Sequence, residues 1–527
     1  MLSNVRFMFV LFLFAVSLLG GCAVNPVTGK NELNLVSESQ ELAIGAKQYM
    51  PSRQQQGGDY VTDPQVVAYV KRVGEKLARV ADRKLPYEFV VLNNSTPNAW
   101  ALPGGKIAVN RGLLTELRSE AELAAVLGHE IVHAAARHGA QQLQRGLLMQ
   151  GVVAIVGATT SSSQYGGLAT TAASLGSSLT GRAYGRDAER EADFYGMRYM
   201  LRAGYDPYAA VTLQETFVRL SKNRDASWLS GLFASHPPSR ERVENNRREA
   251  RALTAGLKGG KVFVGAKVYR RKMAGLLRDK PAYKAFDKGV AALKKGDARA
   301  ALALADEALR IQPREALFFS LRGDALRKLE RPRKALRAYD RAVELNPDYF
   351  AFHVDRGLAL RQLGRDAQAR KDFTRSIKLL PTATAYYALG RMAADRGDEA
   401  AAIKYLRVAS TSRSRVGRKA KAELLGLDLE QNPARYIKAS LALDRDGYLL
   451  VILRNATSEP MRGISFSVGW RQGRGFKPLE RSRYARTLKA GRKATISTDI
   501  GPLRSRRELH RYHVQIESVD SARRMAL

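Results

Sequence analysis

Three prolines set the frame for the second half of this 527-residue chain. Pro313, Pro347 and Pro381 stand 34 residues apart. Gly289, Gly323 and Gly357 keep the same spacing, as do Ala301, Ala335 and Ala369, while Ala305, Tyr339 and Phe373 hold one register. A fixed period of this length marks a unit that cannot bury its apolar face alone and must stack on copies of itself. Small residues at recurring columns let paired helices cross closely, and a proline after each pair stops the helix. The pattern predicts an α-solenoid of helix pairs over 283–412. Its fourth pair, at 383–411, is slipped by one residue and lacks the closing proline. Such an array offers a concave face to peptides or partner proteins, the plainer alternative being a rigid spacer. This is the tetratricopeptide period.

Ahead of the repeats, Ser119 to Gly139 reads S-E-A-E-L-A-A-V-L-G-H-E-I-V-H-A-A-A-R-H-G. Ser119 can cap a helix with Glu122 completing a capping box, Ala and Leu carry it, and Gly139 can end it. Inside lies H-E-x-x-H. His129 and His133 are one turn apart and share a face, so both imidazoles can converge on one ion. Glu130, about 100° round the helix, stands at the rim of that face. This is the signature of zinc peptidases, with Glu130 as base toward the attacking water. A catalytic zinc takes three protein ligands and keeps one position open.

The third ligand is sought in Asp187-Ala188-Glu189-Arg190-Glu191-Ala192-Asp193. On a helix, Glu189 and Asp193 share a face. Glu189 is favoured as ligand, with Asp193 accepting the second ring N–H of a ligand histidine; Glu191 is the rival, on another face. In Ser235-His236-Pro237-Pro238-Ser239-Arg240-Glu241-Arg242, His236 can bind the metal in a resting state or donate to an oxyanion, and Arg242 can do the latter or hold Glu189. Spacing alone leaves these as a loop histidine and a helix-surface arginine. Asn98 opens a strand expected at Asn98–Leu102, paired with Lys106–Asn110 across Pro103-Gly104-Gly105, and can bond a substrate main chain. A further strand is expected at Tyr87–Leu92. His138 is expected to face away from the pair and to be structural; His353, His510 and His513 show no ligand spacing.

Residues 1–21 read as an export signal: Arg6, an apolar run from Phe7 to Leu19, then Gly20-Gly21-Cys22. Small residues just before the chain's single cysteine fit a lipoprotein cleavage site, making Cys22 the lipidated first mature residue and leaving no intrachain disulfide. Ala23 in the next position implies the inner face of the outer membrane of a Gram-negative bacterium. Residues 23–60 are polar and read as a tether, then a helical stretch near Glu38–Tyr49. Residues 146–181, without a charge, are expected as a mobile lid or helical hairpin beside the site. Residues 256–282 read as a linker and 413–433 as a connector. Within 434–527, Tyr448–Leu453, Gly463–Trp470, Ala494–Thr498 and Tyr512–Glu517 alternate apolar and polar between turns, predicting a β-sandwich. The formal net charge is +37, and this last segment holds 20 Lys and Arg against 8 Asp and Glu. With an export signal present, that balance points to a solvated basic surface or an anionic envelope polymer, not to nucleic acid.

Five segments occur in order: N-P-V-T-G-K at Asn25–Lys30, N-A-W-A-L-P-G-G at Asn98–Gly105, H-E-I-V-H at His129–His133, E-R-E-A-D at Glu189–Asp193 and S-H-P at Ser235–Pro237. Together they resemble the HtpX-like and prenyl-protease-like zinc metallopeptidases of the gluzincin clan. In layout the chain is similar to BepA-like periplasmic enzymes, which join this peptidase to tetratricopeptide repeats. The resemblance implies an α+β, mostly helical zincin domain over 22–255 and one zinc ion held by His129, His133 and Glu189, with Glu130 as base. It also raises His236 and Arg242, which match the family's S-H-P-x-x-x-x-R segment. It implies a zinc endopeptidase of envelope quality control, acting on unfolded or misfolded envelope proteins and meeting the outer-membrane assembly machinery through the repeats. The competing reading is a chaperone-like scaffold with little or no proteolysis. A lipid anchor and the segment 434–527 go beyond that resemblance.

Overall fold

The computed structural model describes residues 22–149, 184–221, 235–257, 262–429, 431–472 and 475–521. The expected signal segment, and the expected lid beyond Met149, lie outside the described residues. The chain divides into two units, Met1–Leu380 and Pro381–Leu527.

The first unit opens with an antiparallel hairpin, β1 (Cys22–Val24) and β2 (Asn31–Leu33), where a tether was expected. Asn25 makes the turn: its Oδ1 accepts from the backbone N–H of Val27 and Thr28. Helix α1 (Glu38–Gln55) starts at Ser37 in a capping box with Gln40. Helix α2 (Pro64–Ala78) starts at Asp63, with proline at its first position, and buries Val66, Tyr69, Val70, Val73 and Leu77, the stripe its sequence period prescribes. Strands β3 (Glu88–Leu92), β4 (Ala99–Leu102) and β5 (Lys106–Asn110) form a sheet of order β3-β5-β4. The predicted hairpin is β4–β5, and β3 runs parallel to β5.

Helix α3 (Glu120–Ala135) carries H-E-x-x-H and is buried on nearly every side, as a helix apolar all round must be. After it come α4 (His138–Met149), α5 (Arg186–Arg202), α6 (Tyr208–Ser221) and α7 (Arg240–Thr254). The expected linker is helical from Ala266 onward: α8 (Ala266–Lys272) runs into α9 (Ala274–Lys294). Tyr269, Met273 and Leu276 are fully buried in the cluster that holds Leu123, Leu127, Met197 and Met200. Lys267, Arg270, Arg271 and Lys272 around them gave the segment its linker-like composition.

The repeats follow as helix pairs: α9 with α10 (Ala298–Ile311), α11 (Ala316–Lys328) with α12 (Pro332–Leu345), and α13 (Phe350–Gln362) with α14 (Asp366–Leu379). The conserved-looking columns explain their own spacing. A Cβ on Gly323 would lie 2.5 Å from the buried ring of Tyr339, and one on Gly357 2.8 Å from that of Phe373. The large residue of one helix fills the space that the glycine of its partner leaves.

Glu315 joins the repeats to the peptidase core. It is almost wholly buried and caps α11 through the backbone N–H of Leu317 at 3.0 Å. Its carboxylate also accepts from Asn93 Nδ2 at 2.9 Å, Thr62 Oγ1 at 2.7 Å and the Tyr283 hydroxyl at 2.6 Å. Four donors converge on one buried charge, so removing it orphans them all. Glu315→Ala is expected to destabilise this unit by about 3 kcal/mol or more, read from urea denaturation.

The second unit holds the pair α15 (Ala383–Ala394) and α16 (Glu399–Ser410), then α17 (Arg415–Asp428), which occupies most of the expected connector. Two antiparallel sheets of orders β10-β7-β6 and β11-β8-β9 complete it. Their strands are β6 (Ile437–Leu443), β7 (Leu449–Asn455), β8 (Met461–Gln472), β9 (Gly475–Tyr484), β10 (Lys493–Ser497) and β11 (Tyr512–Ser521). Leu449, Val451 and Leu453 of one sheet share a core with Ile464, Phe466, Val468 and Ile516 of the other, which makes the predicted sandwich. The sequence missed β6 and β9. Strand β9 is an edge carrying Lys477, Pro478, Glu480, Arg481 and Arg483, the charged and proline-marked composition that keeps edges from pairing with other chains.

Candidate metal centre

Helix α3 begins where Ser119 Oγ accepts the backbone N–H of Glu122 at 3.1 Å. The Glu122 carboxylate reaches back to the N–H of Arg118, one residue earlier than a capping box requires. The helix does not run to Gly139. It ends at Ala135, Arg137 adopts a left-handed φ of 63°, and α4 starts at His138.

Two glycines bring the carboxylates to the histidines. A Cβ on Gly128 would lie 3.1 Å from the carbonyl oxygen of Gly196, and a Cβ on Gly196 would lie 3.2 Å from the backbone nitrogen of His129. Helices α3 and α5 therefore touch backbone to backbone beside H-E-x-x-H. Glu189 and Asp193, two turns and one turn before Gly196, project onto the same spot.

The ligand atoms of His129, His133, Glu189 and His236 all lie within 4.8 Å of one another. The Nε2 atoms of His129 and His133 are 3.0 Å apart. Glu189 stands 3.4 Å from the first and 3.3 Å from the second. His236 places Nδ1 3.2 Å from His129 Nε2 and 2.9 Å from Glu189 Oε1. Glu130 is buried beside this group, its Oε1 3.5 Å from His236 Nε2. The second carboxylate oxygen of Glu130 is buried and makes no hydrogen bond, while that of Glu189 is met by Arg242 Nη1 at 2.9 Å. Imidazole nitrogens and a carboxylate converging in a buried pocket are the donor set of a zinc site, so the residues fit the ion.

The surrounding groups orient these side chains. Asp193 Oδ1 takes the Nδ1–H of His129 at 3.0 Å, aiming Nε2 at the centre. Arg242, three residues after the capping Ser239, clamps Asp193 through Nε and Nη2, both at 2.7 Å, and its Nη1 lies 2.9 Å from Glu189 Oε2. Its guanidinium is committed to the carboxylates rather than to an oxyanion. Asn98 accepts from Ser235 Oγ at 3.4 Å and so ties the start of β4 to the His236 loop. Ala99 lines the same pocket as His129 and Glu130.

The electrostatics ask for a cation. Burial disfavours a charged His129, yet Glu189 and Asp193 outweigh it and push its pKa up to about 10. Burial works against Asp193 as well, but Arg242 and His129 hold it down to about 2. Glu189 is driven well below the usual range by His236 and His129 despite its burial. Burial keeps His133 neutral, far below the ordinary imidazole value, and raises Glu130, as suits a base that must take up a proton.

One residue at the site, Tyr184, went unnoticed in the sequence, and another, His138, was placed wrongly. Tyr184 stacks on the His133 ring, centroids 3.9 Å apart and planes 17° from parallel. His138, expected to face away, turns back: its Nδ1 is 2.9 Å from His133 Nδ1. The error came from extending the helix to Gly139, when Arg137 breaks it first. Glu191, the rival ligand, does not reach the centre but takes His138 Nε2 at 3.3 Å, which together with Lys30 holds its pKa down to about 2.

A pair of helical histidines, a carboxylate from a crossing helix and a buried glutamate beside them define a zinc metallopeptidase centre. Residues 64–250 match the model of peptidase family M48, and residues 320–382 and 367–415 match a tetratricopeptide repeat model. The metalloprotease YcaL of Escherichia coli K12 is 31% identical over 194 residues, 35% of this chain and 72% of that protein. The chain belongs to peptidase family M48. It is also similar to the beta-barrel assembly-enhancing protease of Escherichia coli K12, 28% identical over 43% of this chain and 47% of that one. The mitochondrial metalloendopeptidase OMA1 of Schizosaccharomyces pombe is 32% identical over 41% of this chain and 63% of that one. The chain thus spans about half the length of the beta-barrel assembly-enhancing protease and less than two thirds of that of OMA1.

If Glu189 is the third ligand, Glu189→Ala should fall from one zinc per chain to roughly a tenth of that or less after dialysis, measured by elemental analysis.

Proposed function

We propose that this protein is a lipid-anchored zinc endopeptidase of the periplasm that cleaves misfolded or mislocalised envelope proteins, with the repeats capturing substrates or partners. The convergence of His129, His133 and Glu189 beside a buried, unbonded Glu130 oxygen carries the catalytic part of this reading. The relative named for beta-barrel assembly and the repeat segment support its envelope part. Cys22 as the lipidated residue and the inner face of the outer membrane as the location rest on the sequence around the export signal. Among the described residues, no helix is long and apolar enough to cross a membrane.

In this mechanism His129, His133 and Glu189 hold the ion, and Asp193 and Arg242 fix its ligands. Bound zinc supplies Lewis acidity toward the scissile carbonyl and acidifies the attacking water. Glu130 takes the water proton and delivers it to the leaving amine. Raising the carboxylate's pKa by burial assists both halves of that transfer. Asn98, at the mouth of β4, lies where an extended substrate main chain would pair. Glu130→Gln should keep zinc and lose cleavage of an unfolded protein by roughly a thousandfold. Retained cleavage would sink Glu130 as the base, and intact envelope function without cleavage would favour the scaffold.

His236 serves as the gate. Its Nδ1 approaches both His129 Nε2 and Glu189, where a substrate oxygen or water would bind. The cavity beside it, about 40 Å³, has room for a few waters and not for a peptide. This is a self-blocked arrangement, with Pro237 and Pro238 stiffening the loop that must swing out. His236→Ala should raise basal proteolysis several-fold in a fluorogenic peptide assay; an unchanged rate would remove the gate.

A further inference from the structure

The geometry points to a second orienting relay, running from the ligand His133 through His138 and Glu191 to Lys30 in the N-terminal hairpin. It makes His138 a positioning residue for the metal. The proposal rests on His133 being a zinc ligand.

His133 directs Nε2 into the centre, so its Nδ1 must carry the proton. Nδ1 lies 2.9 Å from His138 Nδ1, which is the acceptor. A neutral His138 accepting there carries its own proton on Nε2, and that nitrogen faces Glu191 Oε2 at 3.3 Å. The other Glu191 oxygen takes Lys30 Nζ at 2.8 Å. Every proton in the row has one donor and one acceptor, with the charges paired at its outer end. It parallels His129, which donates to Asp193, itself held by Arg242. Each ligand histidine thus has a fixed tautomer and ring plane, one by a carboxylate directly and one through a second imidazole.

The backbone is built to complete this row. Arg137 in the left-handed region turns His138 back toward His133. The His138 side chain is almost wholly buried. Asn25 Nδ2 donates to the carbonyl of Ala136 at 3.0 Å, just beyond the catalytic helix, and to Glu32 at 3.0 Å. The N-P-V-T-G-K turn is therefore pinned to the end of that helix, which sets Lys30 against Glu191. This accounts for a motif that contributes no ligand.

Zinc affinity by chelator competition, the visible spectrum of the cobalt-substituted protein and the melting temperature of the metal-free protein test this on the full chain. His138→Ala should weaken zinc by about 10- to 100-fold and alter the cobalt spectrum, with metal-free melting unchanged. In His138→Asn the amide oxygen sits near the place of Nδ1 and can accept from His133, so affinity should return to within about threefold of the parent. Wild-type affinity in His138→Ala, or equal losses in both variants, would overturn the relay. A loss that only follows a lower metal-free melting temperature would also overturn it, since His138 would then be a fold residue. His133→Ala separates the two levels: if it keeps zinc, the ligand assignment fails, whereas its loss beside an unaffected His138→Ala sinks the relay alone.

Discussion

The backbone contact between Gly128 and Gly196 governs the rest of the first unit. Metal ligands on separate helices must meet within a few ångströms, and ordinary side chains at a crossing hold helix axes about 8–10 Å apart. With hydrogen in place of Cβ at both positions, α3 and α5 approach until a peptide oxygen of one meets the other. Glu189 and Asp193 then face His129 and His133. Burial follows from the same contact, because a crossing this tight excludes water. Exclusion of water in turn strengthens every charge interaction at the centre.

Burying so many charges is tolerable only if each is paired and bonded. Arg242 meets this requirement by spanning Asp193 and Glu189, and it reaches them because Ser239 starts a helix that points its first turn inward. Away from the metal, Glu315 is satisfied by neutral donors instead, Asn93, Thr62, Tyr283 and the Leu317 N–H, at the join between the peptidase core and the repeats. The repeat helices of the first unit are therefore held on a core continuous with the catalytic one, through Ala308 and Phe318.

Much of this was legible in the residues. Period and composition mark the repeat pairs, the β4–β5 hairpin, the sandwich and the catalytic helix. Spacing pairs Glu189 with Asp193 and sets Glu191 aside. The failures have separate causes. His138 was misplaced because one left-handed residue, Arg137, reverses a direction that periodicity assumes constant. The segment 266–282 passed for a linker because Tyr269, Met273 and Leu276 are embedded in lysine and arginine. Strand β9 lacks clear alternation because its edge position is filled with Lys477, Pro478, Glu480, Arg481 and Arg483, whereas β6 does alternate, at Ile437, Ala439, Leu441 and Leu443, and was passed over.

The sequence alone determined what repeats locally: helix, strand and turn, the identity of two histidines and their glutamate, and a 34-residue stacking unit. Those depend on contacts within a few residues. Tertiary structure decided which of several carboxylates meets the histidines, what Arg242 binds, where His236 lies and which carboxylate Lys30 pairs with. These hang on distances between residues about a hundred positions apart. Such distances are set by helix approach and by one reversal of the chain, and neither leaves a periodic trace.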